Sequence, residues 1–337
     1  MKHVIYYFGL VQGLLLQVFL FKTKTYYEDD SKQNKRIKGN AILITNHRSF
    51  VDGVVIALRF FSRRLYFIIA DFTEYYAEKE TPLKRFLLSV AKVFATILGG
   101  GIFIDRKGHS LSFIEKCKRM TGRGKVIVIF PEGDYRYTYE PVKFSPGYVI
   151  IAIETGAQII PVVNDFNYGL FKRVHLMVGN RIDLSKYSPS DLTKAQILEI
   201  NDEIYHQFLI LFYKLKKRKA ERFSPTYEFV SPKKGDVIRV RVASYYHYGV
   251  YLNDNEVIQF GNGVISGGEM AKVHAVSLNR FCSDKIPEVR TLKRNEQRFV
   301  RKEADIERYA KSCLGQGGYQ VEYNNCLDFV NRVTLKI

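Results

Sequence analysis

The sequence predicts an α/β domain with a mixed central sheet behind an N-terminal membrane-associated helix, followed by a smaller α+β domain. Three observations carry this reading. Residues 4–21 form an apolar stretch with no formal charge. From about residue 39 to 165, short apolar runs of strand length alternate with helical stretches. From Lys233 the pattern changes to closely spaced alternating strands with a helix near the end. A chain of 337 residues, 46% of them hydrophobic, has enough material for two domains. The boundaries that follow are a hydrophobic anchoring segment at 1–38, the α/β domain at 39–212, a basic linker at 213–232 and the second domain at 233–337.

The stretch Val4 to Phe21 reads VIYYFGLVQGLLLQVFLF, with Gln12 and Gln17 as its strongly polar side chains. Its length is at the lower edge of what spans a bilayer, ~18 to 20 residues. Lys2 precedes it, Lys22 and Lys24 follow, and no small-residue cleavage site marks it as a removed signal. A buried core helix is the plain alternative; the basic flanks favour an anchor that dips into or spans the membrane.

In the α/β domain the buried strands are predicted at Ala41–Thr45, Leu65–Ala70, Ile102–Ile104, Val126–Phe130 and Ile159–Val163. Phe86 to Leu98 is a helical candidate ending at Gly99-Gly100-Gly101, and a charged helix precedes Val126. Residues Asn201 to Phe212 have helical period. The run Lys214 to Arg222 then carries six positive charges against one negative, and Pro225 and Pro232 follow. In the second domain Gly235 to Val242 alternates as a strand. A hairpin joins Tyr245–Leu252 to Val257–Phe260 through Asn253-Asp254-Asn255, and Glu303 to Leu314 is helical.

The chain holds 52 Lys and Arg against 34 Asp and Glu, a formal net charge of +18. That excess calls for a polyanionic partner, nucleic acid or an anionic membrane surface. No nucleic-acid-binding motif is present, and the aromatic residues are not interleaved with Lys and Arg as a groove requires, so nucleic acid is not the expected partner. The four cysteines, Cys117, Cys282, Cys313 and Cys326, have neither C-x-x-C nor zinc spacing, which suggests a reducing compartment. No solenoid-length repeat or low-complexity tract occurs.

The α/β domain centres on Asn46-His47-Arg48-Ser49-Phe50-Val51-Asp52, directly after an apolar strand. A histidine at a strand end with an aspartate five residues on can form a base and its orienting carboxylate: one ring nitrogen donates to the carboxylate, the other takes a proton from a hydroxyl. Asp105-Arg106 and Glu132-Gly133 also fall just past apolar runs, where loop residues converge on a ligand. Taken in order, Asn46–Asp52, Gly101-Ile102-Phe103-Ile104-Asp105-Arg106, Phe130-Pro131-Glu132-Gly133 and Ile160-Pro161-Val162 resemble the four motifs of the glycerolipid acyltransferases, the lysophosphatidate (1-acyl-glycerol-3-phosphate) acyltransferases in particular. The resemblance covers about residues 40–165. It implies that His47 deprotonates the free hydroxyl of a lysophospholipid, that Asp52 orients the imidazole, and that the hydroxyl attacks an acyl thioester with no acyl-enzyme. Arg106 would pair with the acceptor phosphate, since a guanidinium fork suits phosphate oxygens, and Glu132 and Gly133 would shape the acceptor pocket. The family usually continues F-P-E-G with Thr-Arg-Ser. Here Asp134, Tyr135 and Arg136 follow: either Arg136 supplies the displaced charge or the acceptor is not plain lysophosphatidate.

In the second domain, Asn324-Asn325-Cys326 precedes a helix, and a cysteine opening a helix is expected to gain thiolate character. The histidine at 247 lies on a predicted strand, so the two can form a nucleophile and its base; a small buried core cysteine is the alternative. The pieces G-D-x-I at Gly235, H-x-G-x-Y-L at His247, V-I-x-F at Val257 and N-C-x-x-F-V at Asn325 resemble the lecithin–retinol acyltransferase family, a permuted papain-like fold related to the NlpC-type hydrolases. That resemblance spans about residues 233–335. It implies that Cys326 attacks an acyl ester or amide and that His247 activates the thiol. Gln259 stands where relatives often carry a second histidine; it can hold His247 by a hydrogen bond but cannot stabilise its charged form. His274 is read as a surface residue, Cys282 and Cys313 as structural.

The two resemblances together imply a membrane-associated, bifunctional lipid acyl enzyme. Acyl-CoA or acyl carrier protein would serve as thioester co-substrate, with no bound cofactor and no metal at either site. Membrane lipids and a lysolipid acceptor are the expected partners, acyl carrier protein a further one, and the cytoplasmic membrane face the expected location. An amidase or peptidase acting on a peptide or wall fragment is the alternative for the second domain.

Overall fold

The computed structural model describes residues 22–28, 35–49, 51–70, 102–104, 110–135, 137–169, 172–189, 192–261 and 271–337, with the side chains of 70, 103, 104 and 110–113 excepted. The apolar stretch 4–21, the helix expected at 86–98 and the glycines at 99–101 lie outside them. Among the described residues, no helix is long and apolar enough to cross a membrane. The chain divides into two compact units, Met1–Leu211 and Phe212–Ile337.

The first unit is built on β1 (Lys22–Tyr27), β2 (Ala41–Thr45), α1 (Val51–Arg59), β3 (Leu65–Ala70), β4 (Ile102–Ile104), α2 (Ser110–Thr121), β5 (Val126–Ile129), α3 (Gly147–Thr155), β6 (Gln158–Asn164) and β7 (Arg173–Val178). The described strands form one sheet in the order β1-β7-β6-β2-β5-β3-β4. It is mixed, as expected: the pairs from β6 through β2, β5 and β3 to β4 are parallel, β6 and β7 are antiparallel, and β7 and β1 are parallel. The strand β2 is central and covered on both faces, which is why AILIT is a continuous apolar run and not an alternating one. Ile42, Leu43, Ile44, Ile127 and Val128 are wholly buried; each such side chain contributes about 1.5–3 kcal/mol relative to exposure.

Two departures from the sequence reading concern the ends of this unit. Residues 22–27, assigned to the anchoring segment, form an edge strand of the sheet; Lys22 and Lys24 point to solvent, a common protection for an edge. The helix expected at 201–212 runs as α4 from Lys194 to Ala220. The basic run is therefore its C-terminal end, and no free linker begins at 213. Lys and Arg are good helix formers and favour a helix C-terminus, and no breaker precedes Pro225.

The second unit contains β8 (Thr226–Glu228), β9 (Val237–Val242), β10 (Tyr245–Asn253), β11 (Glu256–Phe260), β12 (Val273–Val276), α5 (Leu278–Cys282), β13 (Glu288–Thr291), α6 (Glu303–Ser312) and α7 (Cys326–Thr334). Its strands form an antiparallel sheet in the order β12-β11-β10-β9-β13-β8. The hairpin turns at Asp254-Asn255 between β10 and β11 as read from sequence, and α7 opens on Cys326. That β8 pairs within this sheet puts ordered strand inside the segment assigned to the linker. Helix α7 packs on β10 and β11.

Candidate functional site

Each unit has a histidine held to a polar partner, and the two are built differently. In the first, the chain leaving β2 is clamped to the neighbouring strand β6. Asn46 Nδ2 donates to the Asn164 carbonyl and its Oδ1 accepts from the Asn164 amide, both at 2.9 Å and buried. The next residue is His47, whose backbone amide donates to Glu132 Oε2 at 2.8 Å; Glu132 Oε1 accepts from the Val142 amide at 3.0 Å. Glu132, expected to shape an acceptor pocket, is seen here as a bracket that sets the backbone position of His47. The turn beneath it closes on Gly133, whose φ of +78° favours glycine.

The His47 ring is positioned on three sides. Nδ1 lies 2.9 Å from Asp52 Oδ2, Phe130 stacks at 3.8 Å between centroids, and Tyr135 approaches at 4.4 Å. Asp52 sits in the first turn of α1 and is fully buried, while the His47 side chain keeps 17% of its exposure. A buried carboxylate needs donors, and this one has them: the Arg48 and Ser49 amides donate to Oδ2 at 2.6 and 2.8 Å, and the Tyr168 hydroxyl donates to Oδ1. As an acceptor, Asp52 requires the hydrogen of His47 on Nδ1, which leaves Nε2 free to take a proton.

Nothing in the sequence pattern marks Tyr168. It is brought to Asp52 by the loop after β6. Asn164 Oδ1 accepts from the Phe166 amide at 2.9 Å and Asn164 Nδ2 donates to the Tyr168 hydroxyl at 2.6 Å. Asp165 anchors the same loop, accepting from the amides of His175 and Asn167 and pairing with His175 Nδ1 at 3.0 Å. Burial first, then the Asp52 charge, push the Tyr168 hydroxyl far above its usual ionisation range, so it acts as a donor. Arg106 and Arg136 lie outside the described residues.

In the second unit Cys326 is the first residue of α7. Asn325 caps the helix: its side chain accepts from the Asp328 amide at 3.0 Å, and Asp328 Oδ2 accepts from the Asn325 amide at 3.3 Å. The helix start was expected to give the thiol thiolate character. Instead burial pushes it above its ordinary value, only partly offset by hydrogen bonds from the backbone at Tyr248 and Leu327 and from the Tyr319 hydroxyl. At 5% exposure, desolvation outweighs the helix end. Tyr319, which sequence reading also missed, packs edge-on against Phe260.

His247 lies on β10 with Nε2 2.6 Å from Gln259 Oε1 on β11. The register explains the meeting: Gly249, on the same face of β10 as His247, pairs with Gln259, and Gln259 pairs with His274 on β12. Gly249 has no room for a side chain; a Cβ there would lie 2.8 Å from the Phe281 ring, which also packs 5.5 Å from His247. Contrary to its reading as an isolated surface residue, His274 accepts at Nε2 from Gln259 Nε2 at 2.8 Å. Burial holds the His247 ring below the ordinary histidine value, against the hydrogen bond it donates to Gln259. The four cysteines are all buried.

Each unit thus presents a histidine with one ring nitrogen held by a polar neighbour, an arrangement suited to general-base work. Residues 25–165 match the Acyltransferase family and residues 230–335 match the Lecithin retinol acyltransferase family. A segment of the first family is thus followed by a segment of the second, and the two matches together support an acyltransferase enzyme. Among solved structures it is similar to the 1-acyl-sn-glycerophosphate (LPA) acyltransferase PlsC from Thermotoga maritima, at 17% identity over 65% of this chain and 80% of that chain, with a TM-score of 0.41.

Proposed function

We propose that the first unit transfers an acyl group from a thioester, acyl-CoA or acyl carrier protein, to the hydroxyl of lysophosphatidate or a similar lysolipid. The observation that carries this is the His47–Asp52 pair, with Nδ1 committed to a buried carboxylate and Nε2 free. His47 Nε2 takes the acceptor hydroxyl's proton as its oxygen attacks the thioester carbonyl. The carbon–sulfur bond breaks, and the proton passes to the departing thiol. Asp52 stabilises the imidazolium that forms between these steps. Arg106 and Arg136 are the proposed phosphate partners, and residues 4–21 with the net charge of +18 support attachment to an anionic membrane surface at its cytoplasmic face.

In the second unit Cys326 is the proposed nucleophile and His247 its base, with Gln259 holding the ring. The thiol proton moves to His247 as sulfur attacks an acyl ester; the leaving alcohol takes that proton, and the acyl-Cys326 thioester passes to water or a second acceptor. Transfer of a labelled acyl group to lysophosphatidate by the full chain in detergent, from each donor, tests the first assignment; His47-dependent phosphatidate is the expected product. Absence of transfer by folded protein with both donors would rule out this acceptor. Mass spectrometry after incubation with a labelled phospholipid tests the second. An acyl adduct on Cys326 is expected, and its absence while the lipid is cleaved would overturn the nucleophile.

A further inference from the structure

We propose that His274 is a positioning residue of the second unit, which decides through Gln259 which nitrogen of His247 is free to act as the base. The inference rests on the Cys326–His247 reading and adds a member to it.

One backbone carbonyl sets the direction of the network. His274 Nδ1 lies 3.0 Å from the Lys272 carbonyl oxygen. A carbonyl can only accept, so the hydrogen of a neutral His274 sits on Nδ1 and Nε2 is bare. The bare Nε2 faces the Gln259 side-chain amide at 2.8 Å, so Gln259 must present its NH2 group there. Its oxygen is thereby turned to His247, 2.6 Å away, and can only accept from Nε2–H. The hydrogen of His247 is fixed on Nε2 and its Nδ1 is left bare as the proton acceptor.

Gln259 alone could not set this. Its amide can donate or accept toward His247 with equal ease, and the two arrangements differ by half a turn about the last side-chain bond. A carboxylate in its place would always accept, as Asp52 does for His47. With a neutral amide, the choice is made by whatever stands on its far side. The three side chains lie across adjacent strands β10, β11 and β12 on one face, and β12 is the sheet edge. His247 and Gln259 are buried while His274 is half-buried, so the member that sets the direction is the one nearest solvent.

Two substitutions at 274 separate a directional role from a structural one. In His274→Gln the new side-chain oxygen can accept from Gln259, and the network keeps its direction. In His274→Lys only a donor is offered, so the Gln259 amide turns round and the hydrogen of His247 moves to Nδ1. The imidazole 15N spectrum of the full chain, with His247 assigned by its loss in His247→Gln, reads this directly. The bare-nitrogen resonance of His247 is expected on Nδ1 in the wild type and His274→Gln, and on Nε2 in His274→Lys. Alkylation of Cys326 by iodoacetamide at neutral pH should fall ~10-fold or more in His274→Lys, the scale of losing an orienting partner, and stay near wild type in His274→Gln. The same His247 tautomer and the same alkylation rate in both folded variants would overturn the proposal. Unchanged alkylation in His247→Ala would overturn the cysteine–histidine reading beneath it. The two failures are told apart because the ring spectrum needs no reaction.

Discussion

His47 and His247 are both held through one ring nitrogen, yet by partners of different charge. Behind His47 stands Asp52, a buried carboxylate with three further donors; behind His247 stands the amide of Gln259. The carboxylate fixes the tautomer by itself and can stabilise an imidazolium, which suits the single displacement proposed for His47. The amide fixes geometry only, and the burial of His247 and Cys326 favours both neutral forms. A neutral pair needs no ion pair at rest; it exchanges its proton when a substrate arrives. On the proposed reactions, the same side chain is given charge support where no covalent intermediate forms, and support of direction where a thiol would form one.

The largest effect that could break this division is removal of the bases themselves. His47→Ala is expected to lower lysolipid acylation ~10³-fold, the middle of the range for a positioned general base, and to leave acylation of Cys326 unchanged. Cys326→Ala should abolish the covalent adduct and leave lysolipid acylation intact. Loss of both activities in either folded variant, measured on the full chain, would show one site where two are described.

Exchanging the partners tests charge directly. Asp52→Asn should lower kcat by ~10²-fold or more, since an amide no longer dictates the tautomer of His47. Gln259→Glu should have the opposite sense. A carboxylate beside His247 raises its proton affinity by about one unit or more, so Cys326 alkylation near neutral pH should rise ~10-fold. If Gln259→Glu leaves that rate unchanged, the charge beside His247 does not reach the thiol and the proposed cysteine–histidine pair fails.

Tyr168→Phe probes the donor that sequence reading did not supply. Losing a hydrogen bond to a buried charge costs about 1.5–3 kcal/mol, and freeing one oxygen of Asp52 should lower kcat roughly 10-fold with KM little changed. An unaltered kcat would reduce Tyr168 to a filler of the loop.

What the chain discloses before folding follows the same physics. The strands β2, β5 and β6 are legible because sheet covered on both faces needs unbroken apolar runs, and the hairpin because Asp254-Asn255 sits between two alternating strands. Strand β1 was hidden because KTKTYY is an edge whose lysines face water. His47 and Asp52 are five residues apart, within reach of a local pattern, whereas Tyr168 reaches Asp52 across 116 positions and His274 reaches Gln259 through strand register. No spacing encodes either meeting. The helix-end expectation for Cys326 failed because burial is a property of packing, which the local pattern does not contain.

The smallest predicted effect is one of stability. Burial holds the folded His247 below the ordinary value of 6.5, so as pH falls through that value the unfolded chain takes up a proton that the folded chain refuses. Stability of the second unit is therefore full above pH 6.5 and is lost as pH falls toward the folded value, by on the order of 1 kcal/mol over the first unit of pH. Urea unfolding followed through this unit at pH 7.5 and 5.5 should show a larger loss in the wild type than in His247→Gln, which has no proton to gain. Equal losses would mean that the ring titrates in place, and with that the contrast between a charge-supported and a direction-supported histidine would fail at its second member.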